Sequence, residues 1–379
     1  MVVGIDIRVL MDKQYSGVSQ YAVNLLAALF DLDQTTEYRL FYNSWRPLDR
    51  DLPFKADSRI KIIRTAWPNK IFNYFGQRLF HYPKLDRLVG ACDVFFSPHL
   101  NFSSLSAKTK SVLTIHDLSF LRYPEFFSGR KNFWHKALAI RPLVERADKI
   151  VAVSENTRQD LMTLFNLPPE KVITILSGLN ELPRPEALET EAWLKAKDLV
   201  PGYILYLGNL EPRKNIVGLM KAYEDLRRTH PERMEKLVLA GATAWKTKDI
   251  ERARRASSYK DDIRFLGYVS PQEKAILYAR AGVFAYPSFY EGFGFPPLEA
   301  MSFGLPVITS NISSLPEVGG DAVLGVDPYD LPALSQALDS LLSDEQLKRE
   351  LGSRGLERSR QFAWPTSAQK YLELFKSLA

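Results

Sequence analysis

The chain has 379 residues, of which 46% are hydrophobic and 25% are charged, and its formal net charge is +6 at pH 7. At about 150 residues per domain, this length predicts two domains, each able to bury a core. The single cysteine, Cys92, excludes an internal disulfide framework and a cysteine metal cage, and the basic balance suits an acidic substrate, a nucleic acid or an anionic membrane surface.

No targeting segment or membrane span is predicted. Residues 1–10 resemble a short strand containing Asp6 and Arg8, rather than a basic end followed by a long apolar run. No stretch approaches the ~18 apolar residues that cross a bilayer. We therefore expect a cytoplasmic protein.

Strand-like and helix-like segments alternate along the chain, which favours parallel sheets with helices on both faces. In the first half, strands are predicted at residues 2–7, 38–42, 60–64, 94–97, 111–115, 150–153 and 172–176. Helices are predicted at residues 20–30, 72–89, 138–146 and from the N-cap Ser154 through 164.

The second half repeats this alternation after residues 181–199, a proline-containing and highly charged stretch predicted to be a linker with a short helix. Its predicted strands are residues 203–207, 236–240, 263–266, 283–286 and 307–309. Helices are predicted from residue 216, around 331–342, and from Trp364-Pro365 to 378. The chain is therefore predicted to contain two α/β halves.

A glycine loop leading into a helix lies within residues 289–306. Gly292 and Gly294 make the loop flexible, and the two prolines that follow suit a first helical turn. Glu291 precedes the loop, and Glu299 lies in the predicted first helical turn. Such a helix start carries about half a positive charge and could hold a phosphate, with two acids placed for ligand hydroxyls. An acid that only offsets the helix dipole is the plainer alternative.

Arg213 and Lys214 form an adjacent cationic pair between a predicted strand and a helix start, beside Asn209 and Asn215. Such a loop at the carboxyl edge of a parallel sheet is where a diphosphate would dock. Arginine offers a planar fork of donors and lysine a point charge. A solvated turn is the alternative.

Two residues of the first half, like the cationic pair of the second half, come after predicted strands. His116 follows a predicted strand and is itself followed by Asp117, although a lone histidine at a strand end is more often structural. Gly17 comes after the first strand and would permit close backbone approach, although an ordinary tight turn explains it too.

Other classes of site have little support. Asp31 and Asp33 form an Asp-x-Asp pair, but they lie at a predicted helix end, and no histidine pair has zincin spacing. Walker, first-strand dinucleotide-binding and Gly-x-Ser-x-Gly motifs are absent from the sequence. We therefore expect no bound metal and no cofactor.

The sequence resembles the retaining glycosyltransferases of family 4. The likeness lies in LGNLEPRKN at residues 207–215, FLGYV at 265–269 and, above all, PSFYEGFGFPPLEAM at 287–301, whose two glutamates are separated by seven residues. TIHDLSF at 114–120 and VSENT at 153–157 add to it. The likeness spans nearly the whole chain, in the order of the family's elements, and is greatest to bacterial mannosyltransferases of surface-polysaccharide assembly.

The resemblance implies the GT-B fold, with two Rossmann-like domains facing each other across a deep cleft. Residues 1–180 would bind the acceptor, residues 181–199 would be the linker and residues 200–364 would bind the nucleotide sugar. The final helix, residues 365–379, would cross back to the first domain.

The resemblance also implies roles for individual residues. Glu299 would bind the ribose hydroxyls, Glu291 would face the donor sugar, Arg213 and Lys214 would hold the diphosphate, and His116 would approach the transferred sugar. The other donor-binding residues would be Gly17 and Asn209 near the diphosphate, Tyr268 and Val269 at the base, and Gly292, Phe293, Gly294, Phe295 and Leu298. Many relatives have arginine at the position of Asn209, so which cation carries which phosphate stays open.

The implied reaction is metal-independent transfer of a hexose with retention of configuration, by front-face attack that the leaving phosphate assists. Mannose from GDP-mannose is the preferred donor and a UDP-sugar the alternative. The acceptor would be a glycan or a polyprenyl-linked glycan, and no nucleic acid partner is expected. A sugar-nucleotide epimerase lacks the 287–294 loop, and a non-catalytic nucleotide-sugar-binding subunit is the remaining alternative.

Basic and aromatic residues alternate in the first half at 67–78 and 130–136, with Arg141 beyond. This mixture suits an anionic membrane or a lipid diphosphate, whereas a solvated helix face with buried aromatics is the alternative. We expect peripheral association with the inner face of the plasma membrane.

Overall fold

The computed structural model describes residues 1–11, 16–46, 54 and 57–379. These residues form two compact units. Unit 1 comprises Met1–Leu118, Arg130–Gly178 and Phe362–Ala379, and unit 2 comprises Ser119–Gly129 and Leu179–Gln361.

The strands, in chain order, are β1 (Val2–Asp6), β2 (Glu37–Asn43), β3 (Ile60–Thr65), β4 (Val94–Ser97), β5 (Lys110–Ile115), β6 (Lys149–Ala152), β7 (Val172–Thr174), β8 (Ile204–Leu207), β9 (Leu237–Ala240), β10 (Ile263–Gly267), β11 (Val283–Tyr286), β12 (Val307–Ser310) and β13 (Leu324–Val326). The α-helices are α1 (Gly17–Leu32), α2 (Leu85–Leu88), α3 (Ser119–Arg122), α4 (Gly129–Leu138), α5 (Ile140–Arg146), α6 (Glu155–Phe165), α7 (Ala187–Ala196), α8 (Ile216–Thr229), α9 (Lys248–Ala256), α10 (Pro271–Arg280), α11 (Phe295–Ser302), α12 (Leu315–Gly319), α13 (Leu331–Ser343), α14 (Glu345–Ser359) and α15 (Trp364–Leu378). A π-helix spans Ile71–Phe80, and 3-10 turns span Arg8–Met11, Pro124–Phe126, Pro169–Lys171 and Pro212–Lys214.

Each unit contains one parallel sheet. The order in unit 1 is β3-β2-β1-β4-β5-β6-β7, and the order in unit 2 is β10-β9-β8-β11-β12-β13. The strands at the centre of each sheet are largely apolar because helices cover both faces of such a sheet, as in the fully buried β4, β8, β9 and β11. The predicted architecture of two Rossmann-like α/β domains is confirmed.

The strand order reverses at one point in each sheet, between β1 and β4 in unit 1 and between β8 and β11 in unit 2. At such a switch point the loops that leave the two adjacent strands diverge, so a crevice opens at the carboxyl ends. In unit 2 these are the loops at residues 208–215 and 287–294. The topology therefore places the two motifs of the second half side by side.

The helix predicted over residues 72–89 is wrong as a single element. The π-helix ends at Phe80, His81 adopts a left-handed conformation with φ 51°, and α2 begins only at Leu85. Pro83 lies between them and has no N–H with which to continue helical hydrogen bonding. Helices α3, α9, α10, α12 and α14 and the short edge strand β13 were not predicted from the sequence.

The boundary of unit 2 also differs from the sequence-based domains, because Ser119–Gly129 belongs to it. Phe126 stacks on Phe289 with ring centroids 5.6 Å apart, and the Trp245 indole N–H donates to the Phe126 carbonyl at 2.7 Å. These contacts join residues more than 100 positions apart. A segment this short has no periodic pattern from which its packing could be predicted.

The final helix, α15, packs within unit 1, as predicted. The hydroxyl of Tyr371 lies 2.7 Å from the Tyr21 hydroxyl and 2.6 Å from Thr114 Oγ1. Phe375 is fully buried and contacts Phe96 with ring centroids 5.3 Å apart. The chain therefore returns to its first unit because one face of α15 is apolar.

Candidate active site

The switch point of unit 2 brings three predicted site residues into direct contact. Lys214 Nζ lies 2.5 Å from Glu291 Oε1, and Arg213 Nη1 lies 3.0 Å from Glu291 Oε2. The two cations end the loop after β8, and the carboxylate begins the loop after β11. The sequence separates these groups by more than 70 residues, and only the adjacency of the two strands joins them.

Arg213 is held by both loops. Its Nη1 donates to the Tyr290 carbonyl at 2.7 Å, and its Nη2 donates to Glu211 Oε1 at 2.8 Å. Its own carbonyl accepts a hydrogen bond from the Phe289 N–H at 2.9 Å. Glu211 is only 3% exposed and was missed in the sequence, although an acid two positions before an arginine was a usable signal.

Lys214 is buried and has two partners among the described residues. Its ammonium donates to Glu291 and, at 2.7 Å, to the Tyr286 hydroxyl. The Tyr286 ring stacks on Tyr206 with centroids 5.6 Å apart. An ammonium group carries three N–H donors, so these partners leave one for a ligand. Tyr286 was missed because it ends an apolar strand; that position at the carboxyl edge was the signal.

Glu291 is fixed through its backbone as well as its side chain. Its N–H donates to Ser313 Oγ at 2.9 Å, and its carbonyl accepts hydrogen bonds from Ser313 at 2.6 Å and Ser314 at 3.0 Å. Burial alone would raise the pKa of its carboxyl group, but the charges of Arg213 and Lys214 lower it to about 2. Glu291 is therefore a carboxylate throughout the physiological range.

The two cations and the carboxylates of Glu211 and Glu291 give the cluster a net charge of zero, from +2 and −2. Buried ions of this kind persist only when each has a partner. The protein therefore fixes the orientation of the N–H donors of Lys214 and Arg213, while Glu211 and Glu291 balance their charge.

The depressed pKa of Glu291 predicts an acid-sensitive contribution to the stability of unit 2. Its pKa falls from 4.5 to about 2, so the stabilisation is fully present above pH 4.5 and is lost as the pH falls towards 2. We expect a loss on the order of 3 kcal/mol across that window. Urea unfolding of the wild type and of Glu291→Gln between pH 5 and pH 2 measures it. Equal pH dependence of the two proteins would contradict the assignment.

The glycine loop enters α11 through Gly294, whose φ is 120°. A Cβ at this residue would lie 2.8 Å from Leu315 Cδ2, so both conformation and packing require glycine. The helix begins at Phe295, which makes Glu299 its fifth residue. The prediction that Glu299 lies in the first turn is wrong, because the helix starts before the two prolines.

Glu299 is 3% exposed and already has protein partners. Lys274 Nζ lies 2.8 Å from Glu299 Oε2, and the Tyr278 hydroxyl donates to the same oxygen at 3.1 Å. Both partners come from α10, which was not predicted from the sequence. Glu299 thus has the burial and the fixed orientation that a hydroxyl-binding carboxylate requires.

The other predicted donor-binding residues of unit 2 differ in exposure. Gly292, Phe293 and Gly294 are buried, Phe295 is half-buried and Leu298 is fully buried. After β10, Tyr268 is 61% exposed and Val269 is buried. Asn209 is exposed, and its carbonyl accepts a hydrogen bond from the Tyr206 hydroxyl at 3.0 Å.

His116 and Gly17 lie in unit 1. His116 follows β5, and its Nε2 is 2.8 Å from the Pro98 carbonyl, which can only accept, so Nε2 carries the proton. Burial lowers the pKa of His116 despite that bond, which favours the neutral ring. Gly17 is the exposed first residue of α1, and a Cβ there would meet no described atom within 4 Å. Packing against described residues therefore does not explain this glycine.

Within the described part of the chain, no three histidine, cysteine, aspartate or glutamate side chains come together to form a site for a metal ion. Asp33, considered above for a metal motif, instead accepts hydrogen bonds from Thr35 and Tyr38. Among the described helices, none combines the length and apolarity needed to cross a membrane.

Comparison with protein families divides the chain at the same place. Residues 15–181 match the model of Glycosyltransferase Family 4, and residues 189–358 match the model of Glycosyl transferases group 1. The first model covers β2 to β7, and the second covers β8 to β13.

Several known proteins are similar to this chain in sequence or in structure. The O-antigen chain mannosyltransferase B of Escherichia coli is 36% identical over 276 residues, which cover 71% of each chain. The serotype-specific mannosyltransferase WbdA of E. coli is 32% identical over 300 residues, 75% of this chain but only 36% of that longer one. The structure of sucrose-phosphate synthase from Thermosynechococcus elongatus has a TM-score of 0.76 and 22% identity, covering 100% of this chain and 98% of its own.

Proposed function

Because this chain belongs to glycosyltransferase family 4, we propose that it transfers mannose from GDP-mannose to a glycan, either free or linked to a polyprenyl lipid. The observation that carries this proposal is the buried cluster of Lys214, Arg213 and Glu291 at the switch point of unit 2. It supplies oriented positive charge at the position where a parallel sheet binds a diphosphate.

Breaking the bond between the sugar and the diphosphate builds negative charge on the leaving group. The third N–H of Lys214 would donate to a diphosphate oxygen, and Arg213 would add its charge while keeping Glu291 oriented. The N–H groups from Gly292 to Phe295 would contribute the partial charge of a helix start. Preoriented groups of this kind stabilise a transition state because they need no reorganisation when charge develops.

The nucleoside would lie along the rest of the same edge. Glu299 would accept hydrogen bonds from the ribose hydroxyls, and Tyr268 and Val269 would border the base. Lys274 pairs with the carboxylate of Glu299 and holds it in a fixed, buried orientation. A carboxylate accepts several hydrogen bonds at once, so its protein partners leave capacity for the ribose.

Retention of configuration is part of the proposal. Glu291 would orient the donor sugar and stabilise positive charge near it, without forming a covalent bond. His116 would accept a hydrogen bond from a hydroxyl of the transferred sugar at Nδ1, since Nε2 is protonated. Configuration at the anomeric carbon of the product, read by NMR, distinguishes retention from inversion.

A donor panel tests the reaction class. Purified protein is incubated with GDP-mannose or with UDP-sugars, each with and without a mannose-terminated acceptor and with EDTA present or absent. Acceptor-dependent release of GDP that survives EDTA is the expected result, and the relatives named as mannosyltransferases support mannose. Nucleotide release only from a UDP-sugar would identify that sugar, rather than GDP-mannose, as the donor. Interconversion of sugars without release, or binding alone, would contradict transferase activity.

We also propose that the protein associates peripherally with an anionic membrane surface. An exposed apolar stripe in unit 1 supports this proposal. Phe75, Leu79 and Phe80 on the π-helix are 56%, 62% and 70% exposed, and Phe133 on α4 is 68% exposed. Exposed cations accompany them at Lys70, Arg78, Arg130 and Lys136. Arg78 Nε also donates to the Ala137 carbonyl at 3.0 Å, which joins the two helices. Apolar side chains among cations suit the surface of an anionic bilayer.

Flotation with vesicles containing phosphatidylglycerol should therefore recover the wild type, and Leu79→Asp/Phe80→Asp should reduce recovery about tenfold. Both substitutions remove apolar insertion and add negative charge that the lipid repels. Leu188→Asp is the matched control, because Leu188 is 83% exposed but lies on α7 in unit 2. Equal recovery with neutral vesicles would contradict an anionic membrane partner.

A further inference from the structure

The loop after β4, residues 98–106, is hydrogen-bonded along most of its length. The Pro98 carbonyl accepts from His116, and the Phe102 carbonyl accepts from Arg8 Nη2 at 2.7 Å. The Ser104 N–H donates to Gln77 Oε1 at 2.8 Å. This loop therefore holds a defined conformation at the switch point of unit 1, beside the carboxyl end of β1.

A buried ion pair holds the loop from the side of β1. Arg8 Nη2 lies 2.6 Å from Asp6 Oδ2, and Arg8 Nη1 donates to Asn73 Oδ1 at 3.0 Å. Asp6 is fully buried and Arg8 is 8% exposed. The two charges cancel, so they make this edge of the sheet rigid without giving it net charge.

Two buried side-chain atoms of this loop lack a hydrogen-bond partner among the described residues, Ser106 Oγ and His99 Nδ1, and only the second belongs to a ring whose protonation the neighbouring contacts define. The Phe102 N–H donates to Asn101 Oδ1 at 2.8 Å, which identifies the other end of that amide as the nitrogen. Asn101 Nδ2 lies 3.2 Å from His99 Nε2. An amide nitrogen only donates, so Nε2 must be the unprotonated acceptor.

The proton of the neutral His99 ring therefore lies on Nδ1. Burial lowers the pKa of His99 to about 4 despite the nearby charge of Asp6, so the ring is neutral at physiological pH. His99 is 7% exposed, and no described residue accepts a hydrogen bond from Nδ1. A buried donor without an acceptor is unfavourable, and a bound oxygen atom would relieve the penalty.

We propose that the Nδ1–H of His99 donates a hydrogen bond to a hydroxyl oxygen of the acceptor glycan, and so forms an acceptor-binding site at the switch point of unit 1. This inference rests on the proposed function, which supplies the acceptor. The site favours an uncharged hydroxyl over a phosphate, since a neutral imidazole and the balanced pair of Asp6 and Arg8 carry no net charge. His116, a predicted catalytic residue, hydrogen-bonds the carbonyl of Pro98, the residue immediately before His99. The proposed acceptor site and the predicted catalytic histidine are therefore connected.

Two substitutions of His99 distinguish the effect of losing the Nδ1–H hydrogen-bond donor from the effect of changing the side chain's volume. His99→Phe keeps a ring but has no donor, whereas His99→Asn places an amide nitrogen near the position of Nδ1. The assay uses GDP-mannose and a synthetic mannobiose with an alkyl aglycone. We expect His99→Phe to lower kcat/KM for the mannobiose about tenfold while the KM for GDP-mannose changes little, and His99→Asn to recover most of the loss. An undiminished kcat/KM in His99→Phe would overturn the proposal, as would an equal loss in both variants.

The tautomer gives a readout that needs no turnover. Nitrogen-15 NMR of the wild type should show His99 protonated at Nδ1 in the free protein, with a shift of that resonance on addition of the mannobiose. A ring protonated at Nε2 would overturn the proposal even if transfer is normal. If the wild type transfers no sugar from any nucleotide donor, the proposed function fails, and the tautomer and its response to the mannobiose still decide the role of His99.

Discussion

Replacing Lys214 with alanine should lower kcat about 10²–10³-fold and leave the fold intact. The substitution removes the only described N–H donors that connect Glu291 and the Tyr286 hydroxyl, together with the charge proposed to meet the diphosphate. It also leaves a buried carboxylate with Arg213 as its remaining cation, so a lower melting temperature should accompany the loss. Steady-state release of GDP and far-ultraviolet circular dichroism measure the two effects.

Arg252→Ala is the matched control for Lys214→Ala. It removes a cation of the same unit whose side chain is 78% exposed and whose partner, Asp249, is equally near solvent. Surface pairs of this kind contribute little to stability, so activity and melting temperature should both stay near the wild type. Near-normal turnover in folded Lys214→Ala would contradict the phosphate assignment.

Replacing Glu291 with glutamine should reduce kcat at least about 100-fold while GDP binds as tightly as before or more tightly. The change removes one negative charge from a cluster whose net charge is zero, so the site becomes cationic where the diphosphate is proposed to bind. Loss of catalysis with retained nucleotide affinity is the signature of a group that acts on the sugar. Isothermal titration with GDP and initial rates with GDP-mannose separate the two quantities.

The control for Glu291→Gln is Glu350→Gln, which removes a half-exposed carboxylate on α14 of the same unit. This variant should keep both kcat and GDP affinity. If Glu291→Gln instead loses GDP affinity in proportion to kcat, Glu291 serves to hold the nucleotide rather than to act on the sugar.

The fold was largely predictable because its signals are local. Of the thirteen strands in the described part of the chain, twelve were predicted in place, since a strand buried on both faces, such as β8 or β9, is a short apolar run bounded by loop residues. The strand that was missed, β13, has three residues with Gly325 at its centre. The helix predicted over residues 72–89 failed where a left-handed His81 and Pro83 interrupt it, a break that apolar periodicity does not show.

The predicted site divides in the same way. Glu291, Lys214 and Arg213 were identifiable because they stand in loops whose residue types suit phosphate chemistry. Glu211 and Tyr286 were missed although each carries a local signal, an arginine two positions later and a strand end at the carboxyl edge. Lys274 was missed because it matters through Glu299, a partner that is distant in sequence. The unbonded Nδ1–H of His99 is likewise a property of its surroundings, since it depends on the orientation of the Asn101 amide.

From the residues alone we could predict two parallel α/β units, the resemblance to family 4, and the cations and acids that follow particular strands. Those properties are local, because apolar runs, glycines and prolines act through the backbone of their own neighbourhood. The folded structure was needed to show that Lys214 and Arg213 neutralise Glu291, that Glu299 is paired with Lys274, and that residues 119–129 belong to unit 2. The physical reason is that burial and charge pairing depend on which strands are adjacent, and the strand order reverses between loops that are far apart in the chain.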